Sequence, residues 1–482
     1  MKRLFGYLDL LVFLAMLLVL VSQLLLPPII GLANNGDFER IMSWGGLQYT
    51  TDDPQQKYFN YVNREFAVGD SKLGSYVSTE ILFLQIALWV NRLWMSPTTF
   101  DIRSLGFVHT ISFLAAILLI VTGFRRQGVA GRGWIALLLG FGFVDVGYFA
   151  YFNSFFSESS SLIFLLAMIG FALHLLPDRA PAGRPDYRIL NGFFLTALCL
   201  VLAKVQNGLL GLLLPLFGWR LAQLHGEKKW KRTIALWSAF IFVVSVVMSS
   251  LNPYDRINTY QTVFYGILKD SPTPLADLRE LGLPGQYAAL AGTHYFTPNK
   301  PIDITSESFQ NGFYDRMNRS KVVKFYLTHP VRFLHKLDVV AHNSLNLEFY
   351  LGTYEKSANK GPLAVSHQFS QWTWTLKHVI PKSVWLFIGY FLLFVALLWR
   401  QHRRAGKPNG KLLAEFWLML ALMAAMQFVT PLLGDGEADL GKHLFLFNVL
   451  FSVIVVVTLV WLGQALQKWA ASRTERRRNH PV

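Results

Sequence analysis

Residues 7–30 read YLDLLVFLAMLLVLVSQLLLPPII, and the polar stretch Asn34-Asn35-Gly36-Asp37-Phe38-Glu39-Arg40 follows almost at once. An apolar run of that length crosses the roughly 30 Å hydrocarbon core of a bilayer as a helix, which takes about 20 residues. It exceeds the roughly 7–15 residues of a signal-peptide core and lacks a small-residue cleavage site, so it reads as a retained span. Lys2 and Arg3 precede it, and positive charge stays on the cytoplasmic side. The helix then leads outward, and the loop 31–78, with Asp37 and Glu39, is expected on the non-cytoplasmic face. Two acids just past a membrane exit need a reason to be there.

The rest of the chain repeats this pattern. Of 482 residues, 53% are hydrophobic and 15% charged, as in a polytopic membrane protein. A formal charge of +16 would point to nucleic acid in a soluble protein. Here much of the Lys and Arg lies in short loops between apolar runs, which orients a membrane protein, so no nucleic-acid partner is expected. The only cysteine, Cys199, lies in an apolar run, which leaves no intrachain disulfide and no thiol-rich metal site.

Parity decides the topology. Residues 81–95 form a short apolar run containing Asn91 and Arg92, whereas 105–124 is long and ends at Arg125 and Arg126. If both crossed, the basic loop 125–132 would face outward, so 81–95 is expected as an interfacial helix on the outer surface. Runs 134–150, 161–176, 189–203, 209–221 and 234–248 then alternate, and 384–399, 414–432 and 444–466 complete about ten crossings. The basic stretches 179–188, 228–232, 400–411 and 473–478 all fall inside. The expected fold is an all-α polytopic membrane protein with outer-face juxtamembrane helices and one large outer loop region. Its parts are a transmembrane catalytic module over 1–250, a helical non-cytoplasmic region over 251–383, and transmembrane helices with a basic cytoplasmic tail over 384–482.

Within the outer region, 255–268 and 314–335 show helical amphipathic spacing, while Pro and Gly break 271–301 into loops. A lid or packing layer and a direct substrate role are both open for it. Asn318-Arg319-Ser320 fits a glycosylation sequon, a triplet too common by chance to carry weight.

The polar clusters share one face in this topology. Asp37, Glu39 and Arg40 follow the first span, and Tyr76, Ser78 and Glu80 precede the interfacial helix. Asn153, Ser154, Ser157 and Glu158 occupy one outward turn, and Lys204, Gln206 and Asn207 another. Asp435, Glu437, Asp439, Lys442 and His443 precede the last span, and Asp439 shares a helical face with the last two. Each has a plainer alternative. Glu39 could pair with Arg40 on a solvated surface, Lys204 could snorkel to the interface, and His443 could be a helix-end residue. Asp145 sits inside an apolar run, where an ionisable group is functional, paired, or beyond a helix that stops early. Gly36 permits a tight turn that aims Asp37 back at the membrane.

The order of these features resembles the GT-C superfamily of polytopic glycosyltransferases, especially its protein mannosyltransferase and lipid A aminoarabinose transferase branch. In those enzymes an acidic outer loop follows the first span, as Gly36-Asp37-Phe38-Glu39-Arg40 does here. A second outer turn carries an acid, to which Tyr151-Phe152-Asn153-Ser154-Phe155-Phe156-Ser157-Glu158 is similar. A Lys-containing turn leads into an apolar run ending in Pro, and Ala203-Lys204-Val205-Gln206-Asn207-Gly208 through Leu214-Pro215 looks like it. The likeness covers residues 1 to 225 and is thin beyond. It departs in the first loop, where Phe38 separates two acids that are adjacent in the family.

The resemblance implies sugar transfer from a polyprenyl-phosphate donor to a hydroxyl on a glycan, lipid or protein acceptor, at a bacterial inner membrane with the site facing periplasm or exterior. Such a reaction needs a carboxylate to take the acceptor's proton, for which Asp37 is the candidate, with Glu158 and Glu39 as further catalytic acids. Lys204, Lys442 and His443 are the candidates for holding the leaving phosphate, with Arg40 and Arg256 behind them. Arg40, Tyr76, Glu80, Asn153, Asn207 and Asp439 are candidates for positioning substrate. A divalent Mg or Mn ion between Asp37 and Glu158 stays open. The competing readings are a lipid-linked sugar transporter or flippase, which should show repeats and midplane polar groups, and a lipid headgroup phosphotransferase.

Overall fold

The computed structural model describes residues 6–71, 74, 76–129, 133–177, 184–251, 254–345 and 351–479, the last few of them by backbone alone. Among them, seven helices are long and apolar enough to cross a membrane: Tyr7–Leu24, Arg103–Arg126, Glu158–Leu175, Lys228–Ser250, Val384–Arg404, Pro408–Asp435 and Phe445–Ala470. Trp134–Phe143 and Val146–Asn153 make an eighth if counted together, although they bend by 59°. The protein is therefore a nearly all-α polytopic membrane protein. Two of the ten expected crossings fall outside that set: Tyr187–Ala203, expected over 189–203, has 17 residues, and the run expected over 209–221 is a 3₁₀ helix, Val205–Leu213, leading into the short helix Leu214–Leu221.

Local chemistry explains both irregularities. The bend comes from Asp145, which caps Val146–Phe149 by accepting from Gly147 N at 2.9 Å. Its other oxygen accepts from Trp372 N at 2.9 Å and Thr373 N at 3.2 Å, so this buried acid ties the bent segment to the outer region. The helix before it does stop early. In the 3₁₀ segment, a methyl group at Gly211 would lie 1.8 Å from Ser245 Oγ, so glycine lets this segment approach Lys228–Ser250 closely.

Exposed apolar side chains mark the lipid-facing surface. Leu236, Phe240, Val243 and Val247 on one span, and Leu392 and Trp399 on another, project outward. In water such faces would aggregate, whereas hydrocarbon accepts them. The expected interfacial helix is Glu80–Trp94, whose 15 residues are short for a span. It buries Phe83, Leu84, Ala87 and Leu88 and exposes Leu82, Ile86, Trp89 and Leu93, an arrangement that suits a bilayer surface.

Small sheets add to the expected loops. Ile30–Leu32 pairs antiparallel with Leu351–Tyr354, and Leu47–Tyr49, Glu65–Val68 and Thr99–Asp101 form a three-stranded sheet. The region expected on the outer face, here called the outer region, holds the helices Asp255–Thr262, Arg319–Thr328 and Pro330–Asn343, and within the stretch expected as loops it also forms Pro274–Leu281. Tyr260, Phe264, Tyr287, Phe309 and Phe313 build its aromatic core. Glu437, just beyond Pro408–Asp435, fastens this region to the spans through Lys269 Nζ at 2.6 Å and an ion pair with Lys336.

Candidate active site

The loop after the first span is shaped around Asn34. Its buried Oδ1 accepts from Gly36 N at 2.8 Å and Phe38 N at 3.1 Å, and Gly36 adopts φ 102°, which favours glycine. Phe38 is driven into the core, edge-on to Phe155 and Phe156 at 5.3 and 4.9 Å. That anchor sends the flanking acids to different places. Asp37 meets Arg40 at 2.6 Å and forms an ion pair with Lys442. Glu39 turns to Asn34 Nδ2 at 3.3 Å and Tyr58 Oη at 3.4 Å, within its own loop.

A second pair lies beside the first. Lys204, where Tyr187–Ala203 ends, reaches Glu158 at 2.8 Å. The Glu158 side chain is 3% exposed, that of Lys204 17%, and that of Lys442 9%. Charges so withdrawn from water persist only where a partner offsets their desolvation. Lys442 also lies 4.7 Å from the Phe156 ring, and the Arg40 guanidinium stacks 4.1 Å from Tyr254 and 5.8 Å from Tyr76. His443 pairs with Asp435 at 3.1 Å, and Gln261 donates to the other oxygen of Asp435 at 2.7 Å.

Of these groups, Lys204, Tyr254, Asp435 and His443 line a cavity of roughly 330 Å³. Its walls are mostly apolar, with Val205, Leu209, Val323 and Pro431 among them, and Lys204, Gln206, Asp435 and His443 supply a polar end. A small polar space adjoins it, lined by Glu158, Asn207, Gln427 and Lys442 and sharing Lys204, Gln206 and His443. Asp37 connects to it through Lys442.

Burial opposes the charge on Asp37, but Lys442, Arg40 and Lys204 outweigh it and hold its carboxyl below the usual range. Tyr76 responds in the opposite sense. Burial and then the Glu158 carboxylate push its phenol up to about 12.

The sequence candidates therefore divide. Asp37, Arg40, Tyr76, Glu158, Lys204, Asn207, Lys442 and His443 gather in one place. Five others are placed elsewhere. Glu39 turns away as described, and Asp439 lies exposed beyond the cluster. Asn153 spends its amide hydrogens on Leu24 O at 2.9 Å and Ile30 O at 2.8 Å, so it locks the first loop to the spans. Glu80 is fully buried, contacts His109 Nε2 at 2.9 Å, and accepts from Ser160 N at 3.2 Å. It braces the helix turn that begins at Glu158 instead of facing the cavity. Arg256, the weaker phosphate candidate, sits 5.7 Å from the Tyr314 ring in the outer region.

Among the described residues, no three His, Cys, Asp or Glu side chains converge as a metal site, and lysines engage both Asp37 and Glu158. Asp435, Gln427, Tyr254 and Arg319 belong to the site as well, although the sequence did not single them out as ligands. Gln427 carried a signal, since a buried amide within an apolar span is costly unless used. It accepts from Gln206 Nε2 at 2.8 Å. Tyr254 and Arg319 carried none.

Fold and site together define a polytopic integral membrane protein with a charged, convergent pocket at one end of its helices. The chain belongs to the family described as the YfdI N-terminal transmembrane domain, which matches residues 2–480. No curated protein and no solved structure matches it significantly.

Proposed function

We propose that this protein is a membrane glycosyltransferase of the GT-C type. It moves a sugar from a polyprenyl-phosphate-linked donor to an acceptor hydroxyl on the non-cytoplasmic face, in modification of a cell-envelope glycan or glycolipid. One observation carries the reading: carboxylate and lysine pairs from four distant stretches, Asp37 with Lys442 and Glu158 with Lys204, gather around a small polar space that shares Lys204, Gln206 and His443 with an apolar cavity. A lipid-linked phosphate needs that combination, an apolar trough for its chain and cations where the chain ends.

In this reading Asp37 accepts the proton of the acceptor hydroxyl as that oxygen bonds to the sugar's anomeric carbon. The bond from that carbon to the phosphate oxygen breaks, and polyprenyl phosphate leaves with the electron pair, held by Lys204, Lys442 and His443. Lys442 links the two events. It neutralises Asp37 in the empty site, and a phosphate that draws it away leaves Asp37 a stronger base. Glu158 keeps Lys204 in place and orients the acceptor with Tyr76 and Asn207.

The test is Asp37→Asn, which keeps the shape and removes the base. Purified protein should lose about 10²- to 10⁴-fold in transfer from polyprenyl-phosphate-linked sugars. Transfer at the wild-type rate would show that Asp37 is not the base.

A further inference from the structure

Each cation of the polar cluster is already engaged by an acid: Arg40 and Lys442 by Asp37, Lys204 by Glu158, and His443 by Asp435. A phosphate entering this largely buried site gains from a further cation that no acid holds closely. The cavity wall supplies a candidate. Of the basic side chains lining it, Lys204 and His443 hold their acids at 2.8 and 3.1 Å, whereas Arg319 is 3.7 Å from Asp255. The side chains of Arg319 and Asp255 are 52% and 66% exposed, so water screens that contact. The hydrogen bond of Arg319 to Ser249 O is long, at 3.3 Å.

Its root is firm where its tip is loose. Arg319 begins the helix Arg319–Thr328, capped by Asn318, whose side chain accepts from Lys321 N at 3.0 Å. Val322, Phe325 and Tyr326 of that helix are buried and anchor it. A guanidinium on such a base can swing a few ångströms toward the cavity and grip two phosphate oxygens at once. Below it, Val205, Leu209, Val323 and Pro431 offer the apolar wall that an isoprenoid chain would fill.

We propose that Arg319, carried by the outer region, is a binding residue for the phosphate of a polyprenyl-phosphate ligand whose chain lies in the apolar cavity. The inference rests on the donor assignment above and gives the outer region a direct part in substrate binding.

Native mass spectrometry of the full chain can compare undecaprenyl phosphate with undecaprenol. Arg319→Ala should weaken the phosphate lipid roughly tenfold or more and leave the alcohol unchanged, since a charged hydrogen bond is lost and the apolar wall is kept. Arg319→Lys should restore part of the loss, and Arg256→Ala, outside the cavity, should bind as wild type. Undiminished phosphate-lipid binding by Arg319→Ala, or equal loss of both lipids, would overturn the proposal. Wild-type protein that shows no preference for the phosphate lipid would overturn the donor assignment with it. An unchanged Arg319→Ala in a protein that does prefer the phosphate removes Arg319 alone.

Discussion

Lys442 forms an ion pair with Asp37 across 405 positions of sequence, while Arg40 holds the other carboxylate oxygen at 2.6 Å. Burial alone would raise the Asp37 pKa, and the three nearby cations reverse that, taking it below the ordinary 3.8. A depressed carboxylate adds stability above its unfolded pKa and loses it as pH falls through the folded one. Acid loss from this group is therefore confined to below about pH 4. Lys442→Met removes the strongest lowering contact and leaves burial opposed only by Arg40 and Lys204. The acid limb of the kcat/KM profile should then move to higher pH than in wild type. An acid limb that stays in place would assign the base to another group.

The Glu158 and Lys204 pair invites a double-substitution cycle. Lys204→Ala strands a carboxylate that is 3% exposed, which typically costs about 3–5 kcal/mol. Glu158→Gln with Lys204→Gln removes both charges and should recover most of the thermal stability in detergent, without recovering activity. A double variant as unstable as Lys204→Ala would show that the pair contributes packing and not charge compensation.

Glu437 is expected to be the clasp of the outer region. Glu437→Gln leaves Lys336, 7% exposed, without its carboxylate, and weakens the hold of Lys269. Limited proteolysis between residues 269 and 345 should quicken. The control is Glu280→Gln, whose carboxylate is 41% exposed and 3.5 Å from His329, and it should leave the digestion pattern unchanged. Equal digestion of both variants would mean that the aromatic core alone holds the region.

Orientation is open to direct labelling. Asp52 is fully exposed in the first outer loop, and Lys228 is exposed at the start of a span on the expected cytoplasmic side. Cysteine at 52 should react with an impermeant maleimide in intact cells, and cysteine at 228 only after permeabilisation. Reaction of both from one side would break the alternation of spans between them.

The long apolar helices and the clustering of most polar turns were legible along the chain. Hydropathy and charge act locally against a bilayer, so each run declares its own environment. The 3₁₀ segment Val205–Leu213 was less legible, because glycine-mediated packing and not hydropathy sets its course, whereas Tyr187–Ala203 lies where the apolar run 189–203 was expected. The strands of three or four residues were too short to show a period.

What composition and order settled is that this is a membrane protein with acids and cations collected in its polar turns. Which acid meets which cation belonged to the tertiary structure. Asp37 and Glu39 look alike in sequence, yet burial of Phe38 between Phe155 and Phe156 sends the first to Lys442 and the second back to Asn34. Glu80 and Asn153 likewise sit in promising turns, but His109 and two backbone carbonyls claim them. Ion pairing in a dry interior depends on distances of a few ångströms between residues hundreds of positions apart, and only the packed helices bring those distances about.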